Sequence, residues 1–195
     1  TGTSNLVLDS SGNATVNGNL TVTGTGPGIF ESYAILLHNV SSGSYQVPNG
    51  DSNDRPLNTE LDPDNIVNLD TSTGKFTLGT GNYLIKWRET FYDTGDVVSA
   101  LRRHNGSDYV ASDYPQTFDV GMSVYARNNS NAHTCVTNGA TRVTVPSGQN
   151  YTYVIAHHVD DYTNSGSGGK DPGSNGVRGI SVQHNYAQVE IYKEA

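Results

Sequence analysis

The sequence is poor in most of what a catalytic or nucleic-acid-binding domain is built from. It has a single cysteine in 195 residues, Cys135, so no intrachain disulfide can staple it. Cys135 stands in a run with Ala132, Val136 and Val143 and reads as a buried, inert thiol. Basic side chains number 11 against 19 acidic ones, a net charge of −8, and Arg102-Arg103 is the one basic pair. Without a basic stripe there is nothing to neutralise phosphates, which excludes nucleic acid as a partner. No stretch sustains an i, i+3, i+4, i+7 apolar period, so helices are not expected. No apolar run is long enough to span a bilayer, and no membrane insertion is expected. No signal peptide is visible, which in a chain opening at Thr1 says nothing about secretion. There is no Gly-x-Ser-x-Gly elbow, phosphate loop or dinucleotide fingerprint, so no enzyme and no cofactor are expected.

What the chain does have is turns and tyrosines. Its 22 glycines and 7 prolines, with Ser, Thr and Asn throughout, punctuate many short segments. Twelve of its aromatics are Tyr, against four Phe and one Trp, which favours rings that face water or an interface over a dry core. Alternation with period two is plainest in residues 70–92, DTSTGKFTLGTGNYLIKWRETFY. Thr71, Ser72, Thr73 and Gly74 make a turn, Phe76 and Leu78 share one strand face, and Gly79-Thr80-Gly81-Asn82 makes a second break. Tyr83, Ile85, Trp87, Glu89 and Phe91 then point one way, and Leu84, Lys86, Arg88, Thr90 and Tyr92 the other. One apolar and one mixed face suggest a sandwich strand that also packs against a partner.

Further strands are expected over 29–40, 97–104, 108–114, 118–127, 133–145 (bulged at Asn138-Gly139), 150–159 and 180–193, with 46–64 as a long Pro-containing surface loop. Eight to ten short strands and no helix mean an all-β protein, a jelly-roll β-sandwich. Residues 1–28 differ. Gly12-Asn13-Ala14-Thr15-Val16-Asn17 is followed by Gly18-Asn19-Leu20-Thr21-Val22-Thr23, a six-residue period with too little apolar surface to fold alone. We read 1–28 as a β-repeat shaft segment and hinge, with a flexible linker as the alternative, and 29–195 as the head.

Residues 71–78 followed by Gly81-Asn82-Tyr83-Leu84-Ile85 resemble the start of the globular head of complement-type and tumour-necrosis-factor-like proteins, with Asp70 in place of the usual aromatic. Residues 186–193, YAQVEIYK, are more similar to the last strand of such heads on phage tail fibres. No Gly-X-Y stem precedes the head. The resemblance implies a homotrimeric jelly roll with both chain ends at its base and the 93–96, 128–131 and 160–179 loops at the distal end. It implies a virion fibre tip that attaches to a host-surface receptor, a glycan by this reading, through the Gly-rich loop 160–179. Tyr162, Lys170, Arg178 and His184 are the binding candidates, because Tyr stacks on sugar faces and the polar groups bond hydroxyls. The bland alternative is a solvated loop with incidental side chains. Other readings are a secreted complement-like head that binds a protein partner, for which the sequons at Asn39, Asn105, Asn128 and Asn150 would permit glycosylation, and a structural decoration protein of the virion.

Two patterns invite a metal. His157 and His158 are adjacent, but neighbours on a strand face opposite ways and cannot share an ion within one chain. Asp51-Ser52-Asn53-Asp54 carries oxygen ligands without the spacing or terminal Glu of a calcium loop. The Asp62/Asp64 and Asp160/Asp161 pairs are ordinary for Asp-rich loops. No metal is expected at any of these, and a melting curve recorded with and without EDTA checks it. The two curves should coincide; a large drop reversed by Ca²⁺ or Zn²⁺ would contradict the expectation.

Overall fold

Long strands form where β-branched and aromatic residues alternate with polar ones, and they stop where glycine or Asx chemistry turns the chain. The Asp70 carboxylate shows the second half of that rule. It accepts from the Ser72 amide at 2.9 Å, the Ser72 hydroxyl at 2.6 Å and the Thr73 hydroxyl at 2.8 Å, and so closes the first turn. Those hydroxyls, Ser72 first, hold its pKa below the ordinary value. Gly74 completes the turn at φ 75°, and a Cβ there would meet the Arg55 carbonyl oxygen at 2.3 Å, so only glycine lets the segment through Arg55 pass this close.

The computed structural model describes residues 6–8, 10, 14–16, 29–40, 50–92, 96–105, 121, 123–125, 134–160 and 184–195. Among these it is all-β, with no helix. The strands are β1 (Leu6–Leu8), β2 (Ala14–Val16), β3 (Phe30–Val40), β4 (Gly50–Asp54), β5 (Thr59–Leu61), β6 (Val67–Asp70), β7 (Lys75–Leu78), β8 (Gly81–Tyr92), β9 (Asp96–His104), β10 (Val124–Tyr125), β11 (Thr134–Val145), β12 (Tyr151–Asp160) and β13 (His184–Glu194). β1 and β2 pair antiparallel, Leu6 opposite Val16. The head has two sheets. One runs β11-β8-β13-β3-β5; the other runs β10-β9-β12-β7-β6, with β4 also paired to β12. Every pairing is antiparallel, and the chain changes sheet at every step from β3 onward except β6 to β7 and β9 to β10. The first and last head strands are neighbours, His184 opposite Val40 and Glu194 opposite Phe30. This strand order is a jelly roll.

The core lies between the sheets. Ala34 and Leu36 of β3, Phe76 and Leu78 of β7, Tyr83, Ile85 and Trp87 of β8, Leu101 of β9, Tyr153 and Ile155 of β12, and Ala187, Val189 and Ile191 of β13 are buried there together. Trp87 ties the two layers. Its Nε1 donates to Ser99 Oγ of β9 at 2.9 Å, while its six-membered ring lies over Gly139 on β11, the residue paired with it. A Cβ on Gly139 would stand 2.1 Å from Trp87 Cζ2.

Two expectations need correcting. β11 pairs with β8 in unbroken register from Thr134 opposite Tyr92 to Val145 opposite Gly81, so there is no bulge at Asn138-Gly139; the glycine makes room for the indole instead. The described part of the 46–64 stretch is not a surface loop. It holds β4 and β5, and between them Arg55 and Leu57 are fully buried, because Pro56 separates two side chains that plug the gap between the sheets. The 108–114 strand, most of 118–127 and residues 180–183 lie outside the described residues. At the β6 edge, the Val67 amide donates to Asp62 Oδ2 at 2.8 Å and the Leu69 amide to Glu60 Oε2 at 3.2 Å. Those donors are thereby withdrawn from any added strand.

Trp87→Ala should cost about 3–5 kcal/mol of head stability, and Gly139→Ala about 1–3 kcal/mol by overpacking. Gly79→Ala, where the added Cβ meets Asn150 at an ordinary 3.5 Å, is the control expected to change little. Denaturant midpoints measure all three; a Trp87→Ala chain with the parent's midpoint would place Trp87 outside the core.

Candidate functional site

Strand register sorts the head into two ends. Phe30 meets Glu194, Gly81 meets Val145 and His104 meets Thr152 at the base, where the Ala195 amide also donates to the Ile29 carbonyl at 3.4 Å. At the other end Val40 meets His184, Tyr92 meets Thr134, and Asp96 meets both Tyr125 and Asp160. The strand ends that flank 93–95, 126–133 and 161–183 therefore lie together, opposite the chain termini. Of the residues singled out for binding, His184 opens β13 at this distal end, its backbone opposite Val40. Tyr162, Lys170 and Arg178 lie outside the described residues.

Just beneath that end the core stops being apolar. Arg55, Glu89 and His157 are 0%, 1% and 1% exposed, and His38 is buried beside them. Each comes from a different segment: His38 from the inner face of β3, Arg55 from the residue after β4, Glu89 from the inner face of β8 and His157 from that of β12. Arg55 is the hub. Its Nε donates to Glu89 Oε1 at 3.1 Å, Nη2 to the Thr90 carbonyl at 3.2 Å, and Nη1 stands 3.4 Å from His38 Nδ1. A guanidinium has only donors, so His38 Nδ1 accepts and its ring proton sits on Nε2. The guanidinium also lies 5.1 Å from the centroid of Phe91. Its own amide donates to the Ile155 carbonyl at 2.8 Å, which pins the segment to β12.

Glu89 Oε2 points the other way, to His157 Nδ1 at 3.6 Å, and His157 packs edge-on against Phe91 at 5.3 Å between centroids. Among the described residues neither His157 nitrogen has a hydrogen-bond partner. Burial alone would raise the Glu89 pKa, but the Arg55 charge and then His157 outweigh it and hold the carboxyl below its ordinary value. Burial first, and the Arg55 charge second, push His38 down to about 4. His157 and His158 do face opposite ways, His158 half-buried on the outer side. Among the described residues no group of three or more His, Cys, Asp or Glu is placed to hold a metal, and the 51–54 run belongs to strand β4, its Asp54 carboxylate 3.9 Å from Lys75 Nζ.

A second feature is the outward face of the five-stranded sheet. Tyr33 is 43% exposed and Leu61, opposite Ile35, is 54% exposed, with Phe30 beside them. Tyr192 stacks tilted on Phe30 at 5.0 Å and carries Lys86 Nζ 5.3 Å over its ring. Half-buried Ile35, Leu37 and Leu84 extend this apolar strip, and Lys86, Arg88 and Arg142 border it. The mixed face read from 83–92 is thus one part of a wider surface.

Sequence reasoning missed the buried charges. The signal was present in Glu89, a carboxylate in core register between Trp87 and Phe91, which needs a buried cation. Its cation was hidden in a stretch that reads as loop.

No family model matches the chain, and no curated protein matches it. Among solved structures, the Eiger TNF from S. frugiperda is similar at 13% identity over 85% of this chain and 94% of its own, TM-score 0.49. The globular domain of zebrafish complement 1qA protein is similar at 16% identity over 83% and 95%, TM-score 0.46. Murine APRIL, in crystals at pH 8.0, is similar at 11% identity over 82% and 98%, TM-score 0.46. The jelly roll itself is read from the strand order given above.

Glu89→Gln leaves Arg55 buried without its counter-charge and should cost about 3–5 kcal/mol. The double change Arg55→Met with Glu89→Leu removes both charges and should recover most of that loss. Denaturant titrations of the three chains check the pair; a Glu89→Gln chain as stable as the parent would contradict it.

Proposed function

We propose that the chain is a non-catalytic recognition head that works outside the cell as a homotrimer and binds a partner through its distal loops. The observation that carries this is the apolar strip around Tyr33, Leu61, Phe30 and Tyr192 on the outward face of one sheet. A single chain exposes it to water, and identical chains packed around a three-fold axis would cover it. Such packing leaves the distal end free, opposite the termini, and three copies of a weak site at fixed spacing gain from simultaneous engagement. Among the described residues no helix is long and apolar enough to cross a membrane.

A protein is the first partner class, because residues 71–85 resemble the heads of complement-type and tumour-necrosis-factor-like proteins. A virion fibre tip that binds a host-surface glycan is the second reading, favoured by the six-residue repeat ahead of the head and the β1–β2 pair formed within 1–28. In both, Tyr162, Lys170, Arg178 and His184 are the contact candidates.

Light scattering at micromolar concentration should give three times the 20.8 kDa chain mass, and Tyr33→Lys with Leu61→Lys should give a folded monomer; a monomeric parent would overturn the trimer. Replacing Tyr162, Lys170 and Arg178 together by Ala should leave mass and melting unchanged, since exposed loop changes usually move stability by under about 0.5 kcal/mol. It should abolish binding on a glycan array or to cell-surface proteins, whichever the parent recognises. Binding that survives the triple change but is lost on altering residues 93–96 would move the site to that loop.

A further inference from the structure

The buried charges sit where they control the distal end. His38 is two residues from the end of β3, Glu89 three from the end of β8 and His157 three from the end of β12, and Arg55 follows β4 directly. These strands lead into or out of the segments at that end. One carboxylate serves the whole group. From β3 comes His38, from the segment after β4 Arg55, from β8 Glu89 and from β12 His157. β13 adds the Tyr186 phenol, its ring edge-on to His38 at 5.9 Å, and β11 adds the Cys135 thiol behind Phe91. β9 adds Val97 and Ser99, which do not titrate, and Asp54 of β4 pairs with Lys75 instead.

We propose that His38, Arg55, Glu89 and His157 form an acid-operated latch: near neutral pH they bind β3, β8, β12 and the segment after β4 together just beneath the distal end, and proton uptake by His38 releases them. Among the described residues, Arg55 is balanced by Glu89 while the His38 ring is neutral. A proton entering His38 Nδ1 must displace the Arg55 Nη1 donor that now occupies that lone pair. His157 Nδ1 stands 3.6 Å from the other oxygen of the same Glu89 carboxylate, which is therefore already shared across the group. Among the described residues, a protonated His38 sets two cations, Arg55 and His38, beside the one carboxylate of Glu89 in a dry interior, a state relieved by admitting water between the sheets. The core toward the base is the apolar cluster around Phe76, Leu78 and Tyr153, so the opening is expected at the other end.

The sign follows from His38. Its pKa in the closed form, about 4, lies below the ordinary 6.5, so the open form binds more protons between those values. The closed form's advantage is therefore whole above pH 6.5 and is lost as pH falls toward 4. For this one group at pH 5 the shift toward the open form is about 30-fold. The lowered pKa of Glu89 acts in the same direction at lower pH.

Amide hydrogen exchange on the full chain at pH 7.5 and 5.0, corrected for intrinsic rates, tests the latch. Protection at the Arg55 amide and along the β4–β12 pairing near Ala156 should fall about 30-fold, while the β7–β12 pairing at the base, Phe76 opposite Tyr153, holds. The variant His38→Gln, which keeps an acceptor for Arg55 but cannot titrate, should lose the pH step. Equal protection at both pH values, an equal fall at base and distal end, or a step that survives in this variant would overturn the proposal. Should that variant not fold, NMR of the His38 imidazole on the unaltered chain decides: a midpoint well below 6.5 that coincides with the loss of distal protection supports the latch, and an ordinary midpoint or any other course overturns it.

Discussion

An arginine cannot give up its charge inside a protein, so burying Arg55 dictates what must surround it. Its donors need acceptors and its charge needs a counter-charge, and the structure supplies Glu89, His38 and the Thr90 carbonyl from strands of the five-stranded sheet. The backbone of the same residue bonds to β12 in the opposite sheet. Satisfying one side chain thus fixes the spacing of the two layers at the end where the connecting segments gather. A buried ion pair of this kind adds little net stability against an apolar substitute, but it penalises any arrangement in which a partner is missing. That penalty specifies the path of the segment between β4 and β5 across the sandwich.

The rest of the core works by packing. Trp87 fills the middle of the sandwich, its indole nitrogen satisfied by Ser99 and its ring accommodated by the absence of a side chain at Gly139. An apolar, shape-matched core toward the base and a polar, charge-matched group beneath the distal end share one sandwich. The outward strip of Tyr33, Leu61 and Tyr192 adds a surface on the five-stranded sheet that is more apolar than its surroundings. Burying that strip between copies and leaving the distal end exposed are compatible, because they use different faces of the same sandwich.

Much of this architecture was legible in the chain. The alternation of residues 83–91, with Trp87 between Ile85 and Glu89, located the central strand and its inner face. Glycine and Asx chemistry located the turns after Asp70 and after Leu78. The readings failed where a local pattern was overruled by something distant. Asn138-Gly139 looks like a bulge signal, yet the glycine is there for an indole on the neighbouring strand. Pro48, Pro56 and Pro63 make residues 46–64 look like loop, yet Arg55 and Leu57 are drawn inside by groups more than thirty residues away, Glu89 among them.

The amino-acid sequence by itself determined the class of fold, the positions of the central strands, the inward face of β8 and the absence of catalytic and nucleic-acid signatures. Those properties follow from periods of two residues and from turn chemistry, which act over a few neighbouring positions. Which strands pair, which end of the sandwich the termini leave free, and how His38, Arg55, Glu89 and His157 meet were decided only by the tertiary structure. Contacts between residues 17 to 34 positions apart, such as Arg55 with His38 and with Glu89, leave no periodic trace in a single chain. They become visible only once two sheets have closed on each other and every buried charge has had to find a partner.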